Sequence, residues 1–315
     1  MPKVALVQLP SPFLDRDAAF DIAERAISTA RGEGAELVVF PETFIGGYPD
    51  WIWRLRPWGD FALTGAIHER LVAASIDLEA DEIRPLREAA KRAGVTVVCG
   101  IHERDGSFSR GTLYNTVVII GPDGALLNRH RKLVPTNPER MVWGAGDASG
   151  LVVVGTDVGR LGTLICWENY MPLARFALYA QGVEIYIAPT WDHGDSWITS
   201  MRHIAREGRM WVLGNAIGMQ TKDVPEGFPE RAKVYSDPEE WLNPGDSVVV
   251  DPTGKVVAGP MHKERGILYA TCDLAAVASA RRTLDVAGHY NRPDVFHLEV
   301  NRSRAAPIQF EDGQS

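Results

Sequence analysis

Short apolar runs alternate along the chain with longer segments whose apolar residues recur every three or four positions, and these two patterns predict the element order. KVALVQL at the start reads as a buried strand. Residues 15–34 follow with Phe20, Ala23, Ala26, Ile27 and Ala30 at helical spacing. ELVVFPE, residues 36–42, is a second buried strand. From 44 to 61 the chain is aromatic, with Tyr48, Trp51, Trp53 and Trp58 on a loop with short helical turns. Helices over 61–75 and 81–93 lead into the strand VTVVCGIHE.

Turn chemistry then marks hairpins. GPDG separates TLYNTVVII from ALLNRHRKL, DPTG sits inside SVVVDPTGKVVAG, and a third hairpin falls around residues 157–160. Residues 171–182 and 196–208 read as helices, each followed by a strand, VEIYIAP and then MWVLGNAIG. Helices thus alternate with strands while hairpins persist, which predicts a mixed sheet system rather than a doubly wound parallel sheet. No GxGxxG or P-loop follows a strand, so nothing supports a nucleotide fold. The polar stretch 221–244, with four prolines, reads as a surface insertion. After the final strand, ILYATCDL, residues 275–309 have too few periodic apolar positions for another core element. They do contain Tyr290, Val295, Phe296, Leu298 and Val300, which predicts a tail that docks on a surface.

Composition narrows this picture. A chain of 315 residues, 45% hydrophobic, can close a large core, and no Pro-, Gly- or Ser-rich linker divides it. The reading is one domain, 1–274, with a C-terminal tail, 275–315. The net charge is −8 and no stretch concentrates Lys and Arg, which argues against a nucleic-acid partner. MPKVALVQLP lacks the apolar core of a signal peptide and no apolar run has spanning length, so a cytoplasmic location without membrane contact is expected.

Three cysteines, an odd number, argue against a disulfide framework, and without CxxC or HExxH spacing no metal or other cofactor is expected. Cys99 and Cys272 lie inside strand-like runs, as small buried hydrophobes do. Cys166 is different. It belongs to one of three stretches that end a strand in reactive polar residues: Pro41-Glu42-Thr43-Phe44, Arg131-Lys132-Leu133 and Cys166-Trp167-Glu168-Asn169. A thiol needs a base or a nearby cation before it attacks. Glu42 has the chemistry of the base, and Lys132 that of a stabiliser for developing anions. Taken singly, each residue type is more often structural or solvated. A Cys–His pair is a rival arrangement, for which His193 in APTWDHGDSW is the best placed of eight histidines.

The local sequences join the three residues. PETFIGGYP around Glu42, HRKLVPTNPERMVWGAGD around Lys132 and GTLICWENYMPLARFALYAQG around Cys166 closely resemble the motifs of the nitrilase family of carbon-nitrogen hydrolases. The resemblance extends from KVALVQL to NRPDVFHLEV. It implies a four-layer α-β-β-α sandwich of the α/β class, with Glu42 as general base, Lys132 as electrostatic stabiliser and Cys166 as nucleophile. It further implies that Glu139, in NPER, positions substrate or relays protons. CWEN followed by YMPL resembles the nitrilase branch, so the implied reaction converts a small organic nitrile to acid and ammonia. An aliphatic amidase or carbamoyl hydrolase using the same four residues is the alternative, and a catalytically silent oligomeric scaffold is the alternative of another class. Tyr48, Trp143, Trp167, Trp191 and His193 are candidate pocket residues. Relatives of this kind pair into dimers and extend into spiral oligomers, a role the resemblance gives to the tail.

Overall fold

The computed structural model describes residues 1–304 and 308. In chain order its first half contains β1 (Lys3–Gln8), α1 (Arg16–Gly32), β2 (Leu37–Val39), α2 (Phe61–Ala74), α3 (Arg84–Ala93), β3 (Thr96–Arg104), β4 (Leu113–Ile120) and β5 (Leu126–Arg131). Then come β6 (Val154–Thr156), β7 (Gly159–Thr163), α4 (Pro172–Tyr179), β8 (Ile185–Thr190), α5 (Asp195–Gly208), β9 (Trp211–Ala216) and β10 (Gly218–Gln220). The last are α6 (Arg231–Val234), β11 (Trp241–Val250), β12 (Val256–His262), β13 (Gly266–Thr271) and α7 (Ala275–Arg281).

Two mixed sheets result. One runs β13-β1-β2-β3-β4-β5, with β1, β2 and β3 parallel and the other pairs antiparallel. The other runs β10-β11-β9-β8-β7-β6, with β7, β8 and β9 parallel and β12 also pairing with β11. Strand alternation explains why each sheet is apolar on both faces. Along β1, Val4 and Leu6 enter the core between the sheets, while Ala5 and Val7 face Phe20, Ala23 and Ile27 of α1 and Leu86 and Ala90 of α3. In the second sheet Ile185 and Ile187 face inward, and Tyr186 and Ala188 meet α4 and α5 through Leu178, Trp197 and Met201. The layers are therefore α, β, β, α.

The helix α1 starts where expected because Asp15 caps it, its carboxylate accepting from the N–H of Ala18 at 3.0 Å. GPDG and DPTG both turn hairpins, β4 to β5 and β11 to β12, and β6 to β7 is the third.

Two stretches differ from their sequence reading. Residues 221–244 are not a surface insertion. Val224, Phe228, Val234 and Tyr235 are buried with Phe13 and Trp51 in an aromatic cluster at one end of the sandwich, and residues 241–244 open β11. Charges and prolines interrupt these apolar residues, so no period reveals them. Beyond β13, Ala275–Arg281 forms α7 and buries Val277 against the inter-sheet core. Residues 305–307 and 309–315, part of the tail, lie outside the described residues.

The topology gathers four strand ends at one edge. Glu42 follows β2, Lys132 follows β5, Cys166 follows β7, and Trp191 to His193 follow β8.

Candidate active site

Lys132 lies at the centre of this edge. Its Nζ is 2.8 Å from Glu42 Oε1 and 2.8 Å from Glu139 Oε2, and all three side chains are buried. Glu42 is held on both oxygens: Asn115 of β4 donates to Oε1 at 2.7 Å, and the Trp191 N–H donates to Oε2 at 2.7 Å. Glu139 sits in a short 3-10 helix, Asn137–Met141, where the Thr136 N–H donates to Oε2 and the Tyr48 hydroxyl to Oε1, each at 2.7 Å. Two carboxylates around one ammonium leave the cluster one negative charge in excess.

The backbone around Glu42 needs a close approach. The segment leaving β2 crosses β3 at Gly100, whose N–H donates to Pro41 O and whose carbonyl accepts from Ile45 N–H. A Cβ on Gly100 would strike the backbone of Pro41 and Thr43.

Cys166 begins another 3-10 helix, Cys166–Tyr170, and takes φ 51, a left-handed conformation that costs a non-glycine residue about 1–3 kcal/mol. Its surroundings hold it there. Asn169 Nδ2 donates to Cys166 O at 2.7 Å and Leu164 O at 3.0 Å, while Tyr186 donates to Asn169 Oδ1 at 2.6 Å. Glu168 accepts from the N–H of Ile165, just before the cysteine, and from the N–H of Leu133, just after Lys132, each at 2.7 Å. One side chain thereby ties the Cys166 turn to the Lys132 strand end. Burial alone would raise the Glu168 carboxyl, yet His130 at 3.0 Å and these two N–H groups hold it below the ordinary carboxylate range.

Burial also governs the site's charges. It raises the Cys166 thiol far above the ordinary range, the Glu42 charge adds to this and Lys132 opposes it, a balance that favours the thiol over the thiolate at rest. It raises Glu42 too, with Lys132 and Asn115 offsetting part of the effect. For Lys132, burial works against the charge, but the carboxylates of Glu42 and Glu139 outweigh it and keep the ammonium protonated. A poised acceptor, a thiol and a fixed cation thus share one enclosure.

That enclosure opens into a cavity of about 170 Å³ lined by Cys166, Glu139 and Thr136 and walled by Tyr48, Trp53, Trp167 and Trp191. Asp192 and His193 complete its rim. Tyr48 and Trp191 stack at 4.3 Å. Of the candidate pocket residues, Tyr48, Trp167, Trp191 and His193 line this space. Trp143 does not. It is buried behind Tyr48 and beneath Lys132, its ring 5.9 Å from both, and its indole N–H donates to His102 Nδ1 at 3.0 Å. Cys99 and Cys272 are free and buried, Cys99 on the helix side of the first sheet and Cys272 in the inter-sheet core.

Sequence reasoning missed Asn115, Thr136, Trp53, Asp192 and the roles of Glu168 and Asn169. One signal was available: a lone Asn within the apolar run TLYNTVVII is a polar group that needs a buried partner.

The profile of the family described as carbon-nitrogen hydrolase matches residues 3–282. The chain belongs to the carbon-nitrogen hydrolase family. This carbon-nitrogen hydrolase is 40% identical over 320 residues to nitrilase 2 of Arabidopsis thaliana, covering 98% of this chain and 91% of that protein. It is 42% identical over 314 residues to an aliphatic nitrilase of Sinorhizobium fredii, covering 97% of each. These relatives put it on the nitrilase branch. The crystal structure of the C. elegans NitFhit protein has the same fold, with a TM-score of 0.72 at 23% identity over 97% of this chain and 68% of that one. Among the described residues, no helix of this carbon-nitrogen hydrolase is long and apolar enough to cross a membrane, and no group of three or more His, Cys, Asp or Glu is arranged to hold a metal ion.

Proposed function

We propose that the protein is a nitrilase that hydrolyses a small organic nitrile to the carboxylic acid and ammonia through a covalent intermediate on Cys166. The observation that carries this reading is the Lys132 ammonium bridging Glu42 and Glu139 at 2.8 Å each, behind a thiol that opens into a narrow aromatic cavity. Relatives of about 40% identity that bear the name nitrilase favour nitrile over amide.

In this reading Glu42 takes the Cys166 proton as sulfur attacks the nitrile carbon and passes it to the nitrile nitrogen, and burial, which raises its pKa, suits it to carry that proton. The product is a thioimidate. Water adds to it, ammonia leaves and a thioester remains; a second water releases the acid and returns the proton to sulfur. Lys132 stabilises charge developing on the substrate nitrogen or oxygen, with the Trp167 N–H in the first turn of its helix as a second donor. Glu139 orients Lys132 and, through the cavity wall, the attacking water.

The proposal extends to location and assembly. A cytoplasmic enzyme without nucleic-acid or membrane partners is in keeping with the acidic chain. Self-association, to a dimer and on to a spiral oligomer, is supported by the apolar residues left exposed on the tail, Tyr290, Val295 and Phe296, beside exposed Leu173 of α4. In this view residues 1–274 carry the chemistry and 275–315 the assembly.

The test is a panel of aliphatic, aromatic and arylacetonitrile substrates beside the matching amides, with ammonia and acid quantified. Nitriles consumed with equal ammonia and acid are expected. Turnover confined to amides would replace the reading with amidase.

A further inference from the structure

The chemistry proposed above uses the floor of the cavity and leaves its rim without a role. The rim is built around Asp192. One carboxylate oxygen accepts from the Trp167 indole N–H at 3.0 Å and the Tyr170 hydroxyl at 3.1 Å, and the other accepts from the His193 N–H at 2.8 Å. The Asp192 N–H in turn donates to Thr190 Oγ1 at 2.7 Å. The carboxylate is therefore fixed at the entrance to the thiol.

A carboxylate has about four lone-pair sites, so three donors leave one acceptor position for a bound molecule. Among the described residues, the cavity lining contains no Lys or Arg. The one cation behind it, Lys132, is already matched by two carboxylates. Tyr48, Trp53, Trp167 and Trp191 form its walls, and aromatic π systems attract cations and repel anions at their faces. Apart from the exposed His193 imidazole on the rim, every charged group lining the way to Cys166 is thus negative or neutralised.

We infer that Asp192 sets the charge selectivity of this cavity, admitting molecules whose non-reacting part is neutral or cationic, aromatic by preference, and excluding those that carry an anion there. The inference rests on the nitrilase reading for the kind of substrate, while the charge selection itself is a property of any reagent that approaches Cys166.

Two readouts separate these. The first is alkylation of Cys166 in the full chain by iodoacetamide, neutral, against iodoacetate, anionic, mapped by peptide mass and normalised to the same reagents on glutathione. Wild type is expected to disfavour iodoacetate by about tenfold beyond glutathione, a bias that shrinks with added salt. Asp192→Asn should cut that bias at least about threefold, and Asp192→Glu, which keeps the charge, should retain it. The second is kcat/KM for phenylacetonitrile against its 4-carboxylate, where Asp192→Asn should raise the relative efficiency of the anion through KM. An alkylation bias equal in wild type and Asp192→Asn overturns the inference. The predicted bias without turnover of any nitrile sustains charge selection and removes the nitrilase reading instead.

Discussion

At the residue scale the site depends on charges that survive burial by pairing. Glu42 and Lys132 are within 2.8 Å of each other and both are buried, so each variant exposes a different requirement. Glu42→Gln keeps the shape and removes the proposed proton acceptor; kcat is expected to fall about 10²–10⁴-fold. Lys132→Ala should be at least as damaging, because two buried carboxylates then lose their shared cation. Single-turnover kinetics on both variants checks this, and a wild-type rate in either removes that residue from the chemistry. His102 gives a second prediction at this scale. Its Nε2 faces Gly47 O at 2.7 Å and its Nδ1 accepts from Trp143, so the buried ring is neutral, and burial lowers its pKa to about 4. The unfolded chain then binds the His102 proton more readily than the native one between pH 6.5 and 4. Stability associated with this ring is complete above pH 6.5 and is lost as pH falls through 4, by about 3 kcal/mol from the size of the shift. Urea midpoints measured across this window should fall more steeply for wild type than for His102→Gln; parallel slopes would exclude His102 as the source.

At the element scale the decisive feature is how two strand ends are tied together. Glu168 bonds the N–H groups of Ile165 and Leu133, one beside Cys166 and one beside Lys132. Glu168→Gln presents an amide N–H where an N–H must be accepted, so the two ends part. A kcat loss of about 10²-fold with KM changed only a few-fold is expected, since small misplacements of reacting groups carry penalties of that size. A change confined to KM would assign Glu168 to binding instead. The legibility of the chain divides along the same line. Strands and helices with a clean period were readable, and the grouping of Glu42, Lys132 and Cys166 was suggested by the distinctive local motif around each. Asn115 and Glu168 were not, because their partners lie 73 and 35 residues away and only sheet pairing brings them together. Trp143 lies within the Lys132 motif, yet spacing could not say that its indole turns toward His102 and away from the cavity. Residues 221–244 were misread because a buried aromatic cluster needs no period.

At the scale of the whole molecule, each sheet supplies part of the candidate site: Glu42 and Lys132 follow strands of the first, Cys166 and Trp191 strands of the second. The proposed assembly through the tail is tested by ending the chain after Thr283, which preserves α7 and its buried Val277. Light scattering should show a smaller particle than the full chain, and an unchanged mass would assign assembly to another surface. The central claim, that Cys166 forms the covalent intermediate, is tested most directly by rapid acid quench during nitrile turnover followed by peptide mass mapping. An acyl adduct on the Cys166 peptide of the wild type is predicted, with none on Cys99 or Cys272 and no ammonia release by Cys166→Ala. An adduct on another residue, or ammonia from Cys166→Ala at a substantial rate, would contradict the account.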